Sequence, residues 1–208
     1  MKRIFKHLLH LLFGDYAIFH IYTCETATAT ATATATPPSS PTPVRFTVRE
    51  VGAAELACST DSLICEQAGY LGDDSFGFAC FDGERIVGVC FYWFGARYKT
   101  RNFWPLAEHQ AKLVQIVTVP EMRGHQVAST LIALSTRAML GKGFDCNFAR
   151  IWHSNTPSLR AFERARWGYV VTVVEVNPLR VRRPLRLRFQ IRLFRRGSGS
   201  FAPPRQAV

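Results

Sequence analysis

A strand that runs into a helix through a short glycine-bearing turn constrains this chain more than any other feature. It lies between Lys112 and Gly143. Residues 113–119 are apolar or β-branched apart from Gln115 and are stopped by Pro120, the pattern of a buried strand. Val127, Leu131, Leu134, Ala138 and Met139 then recur at helical spacing, and Gly141, Lys142 and Gly143 form a stop signal. Arg123-Gly124-His125-Gln126-Val127-Ala128 therefore falls where the strand becomes the helix. The first amides of a helix lack partners and sit at the positive end of its dipole, so such a turn suits an anion, phosphate above all. An ordinary turn with a solvated arginine fits the same spacing, and the turn alone does not separate the two.

The rest of the chain supplies the context. Its 208 residues suffice for one domain with a substantial core. An apolar content of 48% and an aromatic content of 12% describe a folded globule rather than a disordered chain. The net charge of +11 favours anionic partners such as a phosphorylated cofactor, an acidic membrane face or nucleic acid. Six cysteines, at 24, 58, 65, 80, 90 and 146, show no Cys-x-x-Cys pair and no metal spacing, so no metal site is expected. Residues 1–13 read as a basic amphipathic helix that could lie on a membrane surface or pack on the domain. Ala27-Thr28-Ala29 imitates a signal cleavage site, but Lys6, His7, His10 and Asp15 interrupt the apolar run. The expected compartment is the cytoplasm.

The organisation follows from these patterns. Residues 1–22 hold the amphipathic helix and an extra β-rich stretch around His20, and 23–43 are a Thr-Ala and proline-rich linker. The folded domain is expected over 44–196, with a tail at 197–208. Within it, 44–51 alternate as a first strand and 53–69 read as mostly helical. Two strands flank Asp82-Gly83, a strong hairpin signal, and 97–108 read as a loop. A strand at 148–153, a helix at 156–166, a strand at 170–176 and an arginine-faced strand at 185–194 follow. On this reading residues 1–43 are dispensable for the work of that domain.

Pro120 to Ala128 resembles the acetyl-CoA signature of the GNAT N-acetyltransferase superfamily, Arg or Gln, two residues, Gly, one residue, then Gly or Ala. Arg123 and Ala128 fit, whereas Gln126 stands where the family usually has glycine. Ile151 to Ser158, Leu159 to Arg164 and Trp167-Gly168-Tyr169 resemble the family's later block, a strand, an Asn-led helix and a Gly-aromatic step. The resemblance covers about residues 44–194. It implies an α+β (mixed α/β) fold: a central mixed, mostly antiparallel sheet flanked by helices, with splayed parallel strands around the cofactor. It implies acetyl-CoA as co-substrate, held by Ile116, Val117 and Thr118 along the pantetheine, by Arg123, Gly124, His125, Gln126, Val127, Ala128 and Ser129 at the pyrophosphate, and by Asn155 and Phe162.

The implied activity is acetyl transfer to a primary amine of a small molecule or amino sugar. The alternative is a catalytically weak acyl-CoA-binding sensor of the same fold. The tyrosine that often serves the family as acid, seven residues after the Asn, is here Phe162, and the glutamate five residues before the Asn is Arg150. His153 and, from the preceding loop, Glu108 and His109 remain as base candidates, each of which could equally be structural. Peripheral membrane contact through residues 1–13 and a homodimer are compatible with the composition. Nucleic acid is set aside, because a solvated strand face explains the arginines at 185–196 equally well.

Overall fold

The computed structural model describes residues 15–25, 45–99, 103–177 and 185–189. The expected amphipathic helix, the linker from residue 26 on and the tail lie outside these residues, whereas Thr23, Cys24 and Glu25, expected in the linker, belong to a strand. The described chain builds one eight-stranded sheet. In chain order its elements are β1 (Asp15–Glu25), β2 (Phe46–Glu50), α1 (Ala53–Ala57), α2 (Ser62–Cys65), a 3-10 turn (Glu66–Tyr70), β3 (Ser75–Asp82) and β4 (Arg85–Trp93). Then come α3 (Gly95–Lys99), β5 (Gln110–Thr118), a 3-10 turn (Pro120–Met122), α4 (Val127–Gly141), β6 (Cys146–Trp152), α5 (Thr156–Arg164), β7 (Gly168–Asn177) and β8 (Leu185–Phe189). The strand order is β2-β3-β4-β5-β6-β1-β7-β8. Among the described residues only β5 and β6 run parallel; the other pairs are antiparallel. This is the mixed, mostly antiparallel α+β fold expected from the sequence.

The domain boundary needs correction. The expected domain began at residue 44, yet β1 lies inside the sheet, between β6 and β7 and antiparallel to both. Phe19 and Ile21 bury one of its faces, and Tyr22 and Cys24 the other. A strand covered on both faces shows no clean period of two, which is why the stretch reads only as β-rich. The helical span expected at 53–69 also divides. Asp61 adopts extended backbone and accepts a hydrogen bond from the Leu63 amide at 3.0 Å, which caps α2 as a new helix.

Helices cover both faces. α4 lies over β4, where the Tyr92 hydroxyl is 3.0 Å from the Ser135 hydroxyl and the Trp167 indole donates to Thr136 at 3.2 Å. On the opposite face Tyr70 stacks on Phe91 and its carbonyl accepts from the Trp93 indole at 2.8 Å. Gly88 sets the approach of α4 to the sheet. A Cβ there would come within 2.9 Å of Val127 Cγ1 and 3.1 Å of the Val117 carbonyl oxygen, so only glycine lets the start of the helix sit this low.

Candidate acyl-transfer site

The site begins where two parallel strands part. β5 and β6 pair from Gln110↔Cys146 to Leu113↔Ala149 and then separate, although β5 continues to Thr118 and β6 to Trp152. The β4–β5 register shifts between Phe91 and Tyr92, whose partners are Gln115 and Leu113, so Val114 is an extra residue at the point of separation. An extra residue bends a strand and increases its twist, which carries the end of β5 away from β6. Ile116, Val117 and Thr118 remain paired to β4 through Cys90, Val89 and Gly88. Their opposite edge faces the fork.

The turn after β5 closes the open end. Pro120–Met122 forms one 3-10 turn, from which the Arg123 amide donates to the Pro120 carbonyl at 3.2 Å. Gly124 and Gln126 both have left-handed backbone, with φ of 85° and 65°. Gln126 caps α4 with its backbone alone, and its carbonyl accepts from the Thr130 amide at 3.0 Å. The amides ahead of Thr130 are those a helix start leaves without intrahelical partners. Arg123, Gly124, His125 and Gln126 are exposed, Val127 is buried under Gly88, and the Ser129 hydroxyl donates to the Gln126 carbonyl at 2.9 Å. The left-handed backbone at 126 explains why glycine suits this position. Gln126→Gly is expected to stabilise the fold by about 0.5–1 kcal/mol, the left-handed penalty less the added unfolded-state entropy, which urea unfolding would show.

From this turn a groove of about 780 Å³ runs between α4 and α5. Gln126, Ser129 and Thr130 form its near end, and Arg160, Arg164 and Arg166 bring three cations to its α5 side. Arg160 and Arg164 share a helix face by their spacing, a basic stripe whose place beside the turn only the fold reveals.

The remaining candidates are sorted by position. His153 follows β6 at the open end of the fork and is exposed. Its Nδ1 lies 3.2 Å from the Ile18 carbonyl oxygen. A carbonyl only accepts, so Nδ1 carries the proton and Nε2 of the neutral ring carries the lone pair. Glu108 and His109 precede β5 at the closed end of the fork. At about 3.3 Å per residue Glu108 is more than about 20 Å from Ile116 to Thr118, too far to serve as a base there. Asn155 caps α5, accepting from the Ser158 amide at 3.2 Å. Phe162 is 2% exposed and packs on Trp167 and Tyr22, with ring centroids 5.0 and 6.2 Å away. It is a core residue and not a ligand contact, a correction to its place among the cofactor residues.

Three residues on β1 and β7, Tyr22, His20 and Thr172, carry no local motif that marks them as functional candidates. The Tyr22 hydroxyl donates to Glu163, on the groove wall, at 3.5 Å. His20 Nδ1 is 2.9 Å from the Thr172 hydroxyl, which is 2.7 Å from the Tyr169 hydroxyl. Burial, and then the nearby His153, lower the His20 pKa below its ordinary value of 6.5. The unfolded chain therefore binds more protons just below pH 6.5, and His20 makes stability fall as pH drops from there through its folded value. His20→Gln is expected to reduce the drop in Tm between pH 7.5 and 5.5.

Comparison with known proteins agrees with this geometry. The profile of the acetyltransferase (GNAT) family matches residues 47–169, more than half of the chain. An acetyltransferase of the GNAT family from Colwellia psychrerythraea is similar at 12% identity and a TM-score of 0.53, over 90% of this chain and 62% of that one. A conserved protein of unknown function from Staphylococcus epidermidis is similar at 10% identity and a TM-score of 0.52, over 85% of this chain and 66% of that one. The chain thus spans about two thirds or less of these structures, and at such identities the likeness concerns the fold. No curated protein matches the chain. Among the described residues no helix is long and apolar enough to cross a membrane, and no group of His, Cys, Asp and Glu is placed to hold a metal ion. Family profile, strand order and forked parallel pair agree: the chain belongs to the acetyltransferase (GNAT) family.

Proposed function

We propose that the chain transfers an acetyl group from acetyl-CoA to a primary amine of a small molecule or amino sugar. The observation that carries this reading is the fork between β5 and β6, which opens an unpaired edge at Ile116, Val117 and Thr118 directly before the turn at the start of α4. An extended amide-bearing chain can pair with such an edge as a strand would. The residues fit acetyl-CoA in three further respects. The helix start offers amides to a pyrophosphate, Arg123 adds a cation beside it, and Arg160, Arg164 and Arg166 offer charge to further phosphate along the groove. Bound there, acetyl-CoA would supply an activated thioester.

The chain's own residues would do the rest. An amide of β5 would stabilise negative charge on the acetyl oxygen. The amine lone pair forms the C–N bond as the C–S bond breaks, the electron pair leaves on sulfur, and the surplus amine proton passes to a base. His153 is the base candidate at the open end, with Nε2 as its acceptor. The leaving thiol resembles cysteine, with a pKa near 8.5, so it needs little help from an acid. This is compatible with a buried phenylalanine at 162.

Release of free CoA from acetyl-CoA across pools of primary amines tests the reading. His153→Ala is expected to lower kcat/KM by about 10²–10⁴-fold. An unchanged kcat/KM makes His153 structural. Binding of acetyl-CoA without turnover of any amine favours the sensor instead, a reading supported by Phe162 in the core and Arg150 at the position of a family glutamate.

A further inference from the structure

The base candidate has an exposed tryptophan beside it. Trp152 is the last residue of β6 and is 45% exposed, although an indole is highly buried on average. It is held in place all the same. Phe19 pairs with it across β1 and β6, and the two rings meet edge to face, with centroids 4.7 Å apart and planes at 84°. The Trp152 carbonyl accepts from the Asn155 amide at 2.9 Å, which ties it to the cap of α5. Behind it the wall continues as aromatic: Phe103 meets Phe19 edge to face at 5.4 Å, and both are buried. The His153 ring lies 6.4 Å from that of Trp152, centroid to centroid, at 32°. Its amide and its Nδ1 both meet the Ile18 carbonyl, at 3.0 and 3.2 Å, so this ring too is fixed by β1. Trp152 stands three residues beyond the last parallel pair, Leu113↔Ala149, as Ile116 does on the other arm of the fork.

We infer that Trp152 is the platform on which the acceptor's carbon skeleton lies, so that the acceptor is a primary amine joined by one or two methylenes to an aromatic ring. The inference rests on the reading of His153 as the base and narrows the substrate of that reading. An amine within hydrogen-bond reach of Nε2, about 3 Å, brings its substituent to the neighbouring indole. Aromatic rings pair at about 4.5–7 Å between centroids, offset or edge to face. With Trp152 and His153 6.4 Å apart, a ring against the first and a nitrogen beside the second are joined by a short linker. A platform already fixed by its neighbours loses little freedom when a ring settles on it. An amino sugar fits less well, because Phe19 and the indole face offer its hydroxyls no hydrogen bond and hydroxyls buried unpaired are costly.

The test uses the full chain, saturating acetyl-CoA and four acceptors: phenylethylamine, indolylethylamine, propylamine and glucosamine. The two aromatic amines are expected to exceed the others by about 10-fold or more in kcat/KM, the combined worth of stacking and ring burial. Trp152→Leu should erase that advantage through KM and leave propylamine unchanged, whereas Trp152→Phe should retain most of it. Neither should alter acetyl-CoA affinity, and leucine keeps an apolar contact with Phe19, so both variants should melt cooperatively. Binding of N-acetyl-phenylethylamine, followed by calorimetry and by quenching of tryptophan fluorescence, gives a second readout that needs no turnover. Trp152→Phe should lose the quenching and keep the binding, and Trp152→Leu should lose both. Equal use of the four amines, preference for glucosamine, or an equal effect of Trp152→Leu on aromatic and aliphatic amines overturns the inference. Binding of the acetylated amine that Trp152→Leu leaves unchanged also overturns it. Failure of acetyl-CoA to bind counts against acyl transfer, and binding of the acetylated amine still decides this inference.

Discussion

Deleting residues 1–25 is expected to abolish the folded state rather than trim an accessory arm. β1 sits between β6 and β7 and hydrogen-bonds to both along most of its length. Its removal leaves two facing strand edges inside the sheet, each with a row of unpaired amides and carbonyls that must be exposed or re-paired. It also strips both cores. Phe19 and Ile21 leave the cluster around Phe148 and Val173, and Tyr22 and Cys24 leave the cluster under α4 and α5. Removing two such faces costs more than the usual stability of a domain, about 5–15 kcal/mol. The deletion should show no cooperative melt and should exchange its amides rapidly.

A point substitution grades the same claim. Ile21 is 1% exposed, so Ile21→Ala should cost about 2–5 kcal/mol and lower Tm by roughly 5–15 °C. The reading of residues 1–43 as dispensable survives only if the deleted chain melts cooperatively near the parent temperature.

The second large effect concerns the turn before α4. Arg123→Glu is expected to weaken acetyl-CoA binding by about 10–100-fold, because a charge-assisted hydrogen bond to phosphate gives way to repulsion between two anions. Arg137→Glu provides the control. It makes the same charge change on the exposed side of α4, the helix that follows the turn, and Arg137 does not line the groove. If the attraction were general, the two would act alike and both would fade in salt. A local interaction instead separates them at every ionic strength. Calorimetric titration at about 50 mM and about 300 mM salt would distinguish these cases.

The unequal legibility of the chain has physical causes. The stretch from Leu113 to Gly143 was legible because each signal in it is local: a β-branched run, Pro120 as a stop, a helical apolar stripe and glycines after the last turn. The hairpin at Asp82-Gly83 was legible for the same reason, and Gly83 has the left-handed backbone, φ 63°, that the turn requires. The place of β1 was not legible. Its partners lie more than a hundred residues away, and no local pattern states which strands a β-rich segment will join.

At the site, residue type was legible and position was not. Glu108 has the chemistry of a base, but the direction of β5 carries it to the wrong end of the fork. Phe162 matches a functional position of the family, yet the rings of Tyr22 and Trp167 close over it. The aromatic platform at Trp152 arises only when β1 and β6 pair and bring Phe19 against it.

The central claim is that the forked edge of β5 and the turn at 123–129 bind acetyl-CoA. Melting of the intact chain in a titration with acetyl-CoA tests it most directly. A ligand that binds only the folded state adds about 2.7 kcal/mol at a hundredfold excess over Kd, which for a domain of this size raises Tm by roughly 5–10 °C. The account predicts a saturable rise of that order, diminished by Arg123→Glu and retained by Arg137→Glu. A chain that melts cooperatively and whose Tm does not move in millimolar acetyl-CoA would contradict it.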